Sequence, residues 1–339
     1  MEQNKLRIGA INWDAVLPKD TYFGGYAIKS LANPKYESRL HFTALKQDGE
    51  YQIRYRTGED YNKELEYAIN GGIDFFAYCW YPDTDEKRDI WHETYDYLAP
   101  HYHELNYARK LYQKSPLNSK INMCAIVFSI SAYAKSDIDS LAHAMKMPYY
   151  EKVDGKPLLM VFGGYNKEFT ELMRSLLGQK GITPYIALID SNGLENVNKV
   201  CEGIDAITGY GSGSSATSFA ELNKLCNTQN HNRANYKMPV IPLMTAGWNP
   251  MPRVDSPCPW FSYENASYAG TPDLCDFQEG FKLLNDFIDK NKEYANTNHA
   301  IVFAWNEFEE GGYLCPTINK DGSVNDTVIK NFAKARKAY

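Results

Sequence analysis

Ala300-Ile301-Val302-Phe303-Ala304-Trp305 runs straight into Asn306-Glu307-Phe308-Glu309-Glu310-Gly311-Gly312. The first six residues are apolar without alternation, the pattern of a strand buried on both faces. Seven other runs share it: Arg7–Trp13, Ile73–Trp80, Asn122–Ser129, Leu158–Gly163, Tyr185–Asp190, Ala206–Tyr210 and Val240–Ala246. Amphipathic stretches fill the gaps. Asp60–Asn70, Ser136–Lys146, Lys167–Gln179, Leu194–Cys201, Ser218–Asn230, Phe277–Lys292 and Val324–Ala338 read as helices, and Trp91–Gln113 as one or two more. Strand–helix alternation repeated eight times implies a parallel sheet. Eight units favour closure into a (β/α)8 TIM barrel over an open doubly wound sheet. No linker or compositional break interrupts the chain, so residues 1–339 are expected to form a single α/β barrel domain.

Two insertions depart from the repeat. Residues 14–57 follow the first strand and residues 247–275 follow the seventh. The first holds Tyr22, Phe23, Tyr26, Tyr36, His41, Phe42, Tyr51 and Tyr55; the second holds Trp248, Trp260, Phe261, Tyr263 and Tyr268. Disordered segments are poor in aromatics, so both loops are expected to be ordered. On a barrel both lie on the C-terminal face of the strands, where active sites gather.

Composition narrows the function. The net charge is −6, with no dense Lys/Arg cluster, which argues against a nucleic-acid partner. No run of about 18 apolar residues marks a membrane span. The polar start Met1-Glu2-Gln3-Asn4-Lys5 meets the first strand without a signal-peptide core. That leaves a cytoplasmic protein or an exported one whose signal has been removed. Aromatic residues make up 14% of the chain, with 26 Tyr, more than a core needs when each hydroxyl wants a partner. Surplus Tyr and Trp suit a cleft that stacks on sugar rings; a Tyr-rich surface is the plainer alternative. Seven Cys without a CxxC pair do not make a zinc ribbon or redox motif. Cys79 and Cys124 read as small core residues, and Cys258 and Cys275 flank one loop as a candidate disulfide.

The strand ends supply the candidate site. They carry Trp13 and Asp14 after strand one, Trp80 and Tyr81 after strand two, and Tyr165 after strand four. Asp190 follows strand five, Tyr210 strand six, Trp248, Asn249 and Arg253 strand seven. Trp305, Asn306, Glu307, Glu310 and Tyr313 follow strand eight. Aromatics, amides and acids with few cations form a sugar-binding inventory. Glycoside cleavage needs one carboxyl group to protonate the leaving oxygen and a second as base or nucleophile. Glu307 and Glu310, three apart, fall on one side of a turn. Glu309 is expected to point elsewhere. The bland alternative is a solvated acidic loop, which the flanking Trp305, Asn306 and Tyr313 make less apt.

The segment Ile301–Thr317 resembles the closing motif of the WbsX-like proteins, which group with glycoside hydrolase family 99, the endo-α-mannosidases. Val153-Asp154-Gly155-Lys156-Pro157, Gly247–Arg253 and Gly72–Tyr81 resemble further segments of that family, in the same order. The resemblance implies a (β/α)8 barrel and a retaining hydrolase. Glu307 would help the sugar 2-hydroxyl attack the anomeric carbon, giving an anhydro-sugar, and Glu310 would act as acid, then base. Phe308, Glu309 and Cys315 depart from the family pattern. Two other readings stand beside it: a glycan-binding barrel without turnover, and a glycosyl-transfer enzyme of polysaccharide assembly.

Other motifs are weaker. Gly209–Ser215 looks like a phosphate loop but lacks a Walker lysine. His101-Tyr102-His103-Glu104 has metal-ligand residues in a predicted helix, where i and i+2 do not face each other. No HExxH, EF-hand or GxSxG pattern occurs, so neither a metal nor another cofactor is expected. The expected partner is a carbohydrate; sugar, linkage and oligomeric state are not written in the sequence.

Overall fold

All eight apolar runs become strands because each is covered on both sides, by helices outside and by its neighbours' side chains within. The computed structural model describes residues 5–83, 90, 91, 96–190, 202–211, 215–261 and 263–339. The strands are β1 (Arg7–Asn12), β2 (Phe75–Cys79), β3 (Asn122–Phe128), β4 (Lys156–Phe162), β5 (Tyr185–Ile189), β6 (Ala206–Thr208), β7 (Leu243–Thr245) and β8 (His299–Phe303). Their order in the sheet is β7-β8-β1-β2-β3-β4-β5-β6, every pairing parallel. A parallel bridge between Ile207 and Val240 joins the two ends, with the Ile207 N–H donating to the Pro239 carbonyl at 2.8 Å. The sheet is a TIM barrel, as the alternation predicts.

That last seam is thin, and a side chain reinforces it. Among the described residues the helices are α1 (Tyr22–Leu31), α2 (Gly58–Gly71), α3 (Tyr107–Lys114), α4 (Lys135–Met145), α5 (Lys167–Gly178), α6 (Phe219–Ala234), α7 (Met251–Asp255), α8 (Leu274–Lys290) and α9 (Thr327–Ala338). Asn230 on α6 accepts from the Leu243 N–H and donates to the Leu243 carbonyl, both at 2.9 Å. Its amide supplies β7 with bonds a neighbouring strand would otherwise give.

Helix α2 packs behind the end of β8, where its Glu64 accepts from the Trp305 indole. It starts with a reciprocal cap in which Thr57 Oγ1 accepts from the Asp60 N–H while Asp60 accepts from the Thr57 N–H. It ends at Gly72, whose φ of 83° is the left-handed cap that glycine adopts freely. Tyr61, Glu64, Leu65 and Ala68 are its buried face.

The first insertion is ordered. It contains α1, a 3-10 turn at Glu37–Arg39 and a hairpin of Leu45–Gln47 with Glu50–Gln52. The second contains α7. The two are tied together: Arg39 donates to the Asn249 carbonyl at 2.8 Å, and the Tyr36 hydroxyl donates to Asp255 at 2.8 Å.

Three expectations change. Asp96–Asn106 is 3-10 rather than α-helical, with Pro100 inside it, a residue that cannot give the N–H an α-helix needs; a regular helix appears only at α3. Val324–Asn325 is not helical but pairs with Thr317–Ile318. Cys258 and Cys275 are both free thiols: Cys258 is buried, with its Sγ 2.8 Å from the Phe261 carbonyl, and Cys275 is exposed on α8. The Leu194–Cys201 stretch lies outside the described residues. Among the described residues, no helix is long and apolar enough to cross a membrane.

Candidate active site

Beyond β8 the chain makes a very short hairpin. Asn306–Glu307 pairs with Gly312–Tyr313, and the Glu310 N–H donates back to the Glu307 carbonyl at 3.2 Å. This is a β-turn closing on itself, and Glu307, Glu309 and Glu310 are all on it. The turn is clamped to the loop after β7. The Asn249 N–H donates to the Glu310 carbonyl at 2.6 Å. A Cβ on Gly247, which sits at φ 148°, would fall 2.2 Å from the Gly311 carbonyl oxygen, so only glycine lets the two backbones approach this closely.

All three carboxyl groups are buried and face the guanidinium of Arg253 on α7. Arg253 is hydrogen-bonded to Glu310, which also accepts from the Tyr263 hydroxyl at 2.9 Å. The guanidinium lies 3.7 Å from Glu307 Oε2 and 3.7 Å from Glu309 Oε2. Glu307 Oε1 accepts from the Tyr210 hydroxyl at 2.7 Å. Glu309 Oε1 lies 2.9 Å from Ser30 Oγ on α1. Among the described residues, Glu307 Oε2 and Glu309 Oε2 have no hydrogen-bond partner.

One cation for three buried carboxyls leaves the charge unbalanced. Burial pushes Glu307 up to about 8, the Glu310 charge adds to the push, and Arg253 and Tyr210 only partly oppose it. Burial also raises Glu309, again against Arg253. Arg253 itself is driven down by burial, but the three glutamates outweigh that and hold it charged.

Other residues expected from the strand ends gather here too. The Trp13 ring lies 5.5 Å from the Arg253 guanidinium, and its indole N–H donates to the Tyr81 hydroxyl at 3.1 Å. Asn306 accepts from the Trp13 N–H at 2.9 Å. Trp248 is edge-on to Tyr263 at 5.9 Å. Trp260 adds a half-buried face against Trp13, Phe23 and Tyr26, at 5.0–5.9 Å.

Several expected residues are engaged elsewhere. Asp14 binds Arg56 and accepts from the Ala108 N–H at 2.8 Å. Asp190 lies 3.9 Å from Arg233. The Arg109 guanidinium covers the Trp80 ring at 3.6 Å. The Tyr165 hydroxyl donates to the Glu202 carbonyl at 3.1 Å. Trp305 is core, its indole donating to Glu64 at 2.8 Å. Tyr313 is buried 5.3 Å from the Phe308 ring. Glu309, expected to point elsewhere, does meet Ser30 on α1 with one oxygen, but the other lies beside Arg253, as close to it as Glu307 is. Tyr263, Tyr210's counterpart on the second acid, is the contact the sequence did not single out. Its only signal was its place among the aromatics of an ordered loop.

Among the described residues, His41, Glu64 and Cys315 bring ligand atoms within 4.8 Å of one another. The His41 Nδ1 accepts from the Thr43 N–H at 3.2 Å, so Nε2 carries the proton, which faces Glu64 at 3.3 Å. A cation on Nε2 would need that proton on Nδ1, where the Thr43 N–H already points, and Arg56 already occupies Glu64 at 2.7 Å. The arrangement is that of an ion-pair network. The His101–Glu104 stretch holds the first insertion: Glu104 accepts from the Tyr22 and Phe23 N–H groups at 3.3 and 3.2 Å, and His101 stacks on Tyr22 at 4.1 Å.

No protein-family model matches the chain. No curated protein sequence matches it. Solved structures do match. The chain is similar to the GH99 endo-α-mannosidase from Bacteroides thetaiotaomicron, with a TM-score of 0.55 and 11% identity over 99% of this chain and 100% of that one. The same enzyme in complex with bis-tris-propane gives a TM-score of 0.56 and 10% identity over 99% and 98%. At such identity the likeness speaks for the fold alone, a TIM barrel.

Proposed function

We propose that the chain is a retaining glycoside hydrolase that cuts a glycosidic bond in a poly- or oligosaccharide, with Glu307 and Glu310 as its two acids. One observation carries this reading: two buried carboxyls three residues apart, one raised to about 8 and lacking a partner on one oxygen, the other tied to a guanidinium and a phenol. Environments that push paired acids apart are how one site offers both an acid and a base near neutral pH.

Glu307, raised to about 8, carries a proton near neutral pH when no sugar is bound. Its Oε1 accepts from Tyr210, and Oε2, which has no partner among the described residues, is the oxygen a sugar hydroxyl can meet. A sugar 2-hydroxyl bonded there stabilises the Glu307 carboxylate and sends the proton to Glu310. The 2-oxygen then attacks the anomeric carbon and gives its proton to Glu307. The bond to the leaving oxygen breaks, and that oxygen takes the proton from Glu310. Glu310, now a carboxylate, draws a proton from a water that opens the anhydro-sugar at the anomeric carbon, and Glu307 returns its proton to the 2-oxygen. These are the roles the family resemblance implies. Trp13, Trp248, Trp260 and Tyr263 are the proposed stacking surfaces, and Asn249 and Asn306 the nearby amides.

A polysaccharide digestion screen with wild type, Glu307→Gln and Glu310→Gln tests the reading. We expect each variant to lose about 10²–10⁴-fold in kcat while still binding glycan. Equal sugar release by all three removes the catalytic assignment. Binding by all three without release by any favours the glycan-binding barrel, and release only from a nucleotide-sugar donor favours glycosyl transfer.

A further inference from the structure

Ser30 sits where it can report on a proton. Its hydroxyl has one hydrogen, yet Oγ lies 3.0 Å from the Ala27 carbonyl and 2.9 Å from Glu309 Oε1. Both neighbours accept if Glu309 is ionised, and one of the two contacts then goes without a proton. Both contacts become hydrogen bonds if Glu309 carries the hydrogen, donates it to Ser30 Oγ, and Ser30 donates to Ala27.

The other oxygen of Glu309 agrees. Oε2 is buried with no hydrogen-bond partner, and the nearest cation, Arg253, is 3.7 Å away. A buried carboxylate oxygen left without a donor is costly, whereas the carbonyl oxygen of a neutral acid tolerates it better. Among the described residues no second cation lies near Glu309. Glu309 borders a small cavity walled by Val16, Ala27, Ile28, Leu31 and Phe308. His41 lines the same cavity, but its Nε2 proton faces Glu64. From the loop after β7 it faces Arg253 and the buried, un-ionised Cys258 thiol; from its own turn it faces Glu310. From α1 Ser30 is the polar side chain it meets among the described residues.

We propose that Glu309 is held as the neutral acid, donating to Ser30, and that it serves as a positioning residue by leaving the Arg253 charge to Glu310. The site then stores two protons, one on Glu307 for chemistry and one on Glu309 that keeps a third charge away from the guanidinium. The use made of Arg253 rests on the reading of Glu307 and Glu310 as the working pair; the protonation of Glu309 does not.

Infrared spectroscopy of the full chain near neutral pH tests it without any glycan. The carbonyl stretch of a protonated carboxyl group is distinct from the bands of a carboxylate. We expect Glu309→Gln to remove one protonated-carboxyl band and Ser30→Ala to shift the Glu309 band by removing its acceptor. The proposal is overturned if Glu309→Gln removes only carboxylate absorption, or if Ser30→Ala leaves every protonated band where it was. The Ser30 variant keeps the test open should Glu309→Gln fold poorly. A chain that hydrolyses no glycan yet shows these bands fails the functional reading and keeps this one.

Discussion

Arg56 and Arg253 are both buried guanidiniums facing acids, and they hold those acids in opposite ways. Around Arg56 the donors suffice for Glu64. Glu64 accepts from Arg56 at 2.7 Å and from the Trp305 indole at 2.8 Å, and faces the His41 Nε2 proton at 3.3 Å. Burial pushes Glu64 up, but Arg56, His41 and Trp305 together bring it down to about 2. Asp14, with Arg56 and one backbone N–H, is raised by burial. Around Arg253 three acids compete for one cation, two oxygens have no partner, and Glu307 rises to about 8. The two clusters flank the end of β8: Trp305 points into the first and Glu307 into the second. Supply of hydrogen-bond donors, more than burial, separates a carboxylate that holds the barrel from one that can trade a proton.

Removing each arginine gives the largest contrast. Arg56→Met strands a fully ionised Glu64 without its cation, and loss of one partner of a buried pair costs about 3–5 kcal/mol. Arg253→Met leaves Glu307 and Glu309, which burial already pushes toward the protonated form. Denaturant unfolding at pH 6 is expected to put the Arg56 variant well below the Arg253 variant. Equal losses would break the distinction between the clusters.

Stability against pH sharpens it with opposite signs. Glu64 lies below its ordinary 4.5, at about 2, so its contribution is present above pH 4.5 and lost as pH falls toward 2. Glu64→Gln is therefore expected to cost about 3 kcal/mol at pH 7 and little near pH 2, a shift of one unit being worth about 1.4 kcal/mol. Glu307 lies above 4.5, at about 8, so its contribution is present below pH 4.5 and lost as pH rises through 8. Glu307→Gln is expected to gain in Tm relative to wild type between pH 5 and pH 9. Thermal melts of both variants from pH 2 to pH 9 check it; parallel curves would mean that the two acids titrate alike.

How much of this was readable in the sequence follows from the range of each interaction. The strands were legible because burial on both faces leaves an apolar run with no period, a local signal. The pair Glu307 and Glu310 was legible because a turn puts residues three apart on one side. Asp14 and Asp190 looked like site acids because they end strands, but their arginines lie 42 and 43 residues further along the chain. Trp305 looked like a sugar platform, and its partner Glu64 is 241 residues away. No local pattern encodes such pairings. Tyr263 reaches Glu310 only through the path of a loop, and the standing of Glu309 turned on a serine in α1 that no motif marks.

The smallest effects come from deleting one donor on each side, and they complete the comparison. Trp305→Phe takes the indole N–H from Glu64, and Tyr210→Phe takes the hydroxyl from Glu307. Each donor favours the ionised carboxylate, so each deletion raises a pKa, by about one unit or less. The consequences differ because the two acids do different work. In Trp305→Phe the rise brings Glu64 closer to its unfolded value, and acid unfolding moves to higher pH. In Tyr210→Phe the rise carries Glu307 further from it, and the alkaline limb of the kcat/KM profile moves to higher pH while acid unfolding stays put. A Tyr210→Phe limb that moved to lower pH would mean that the hydroxyl holds the protonated form of Glu307, and the donor argument would then fail where the two clusters are most alike.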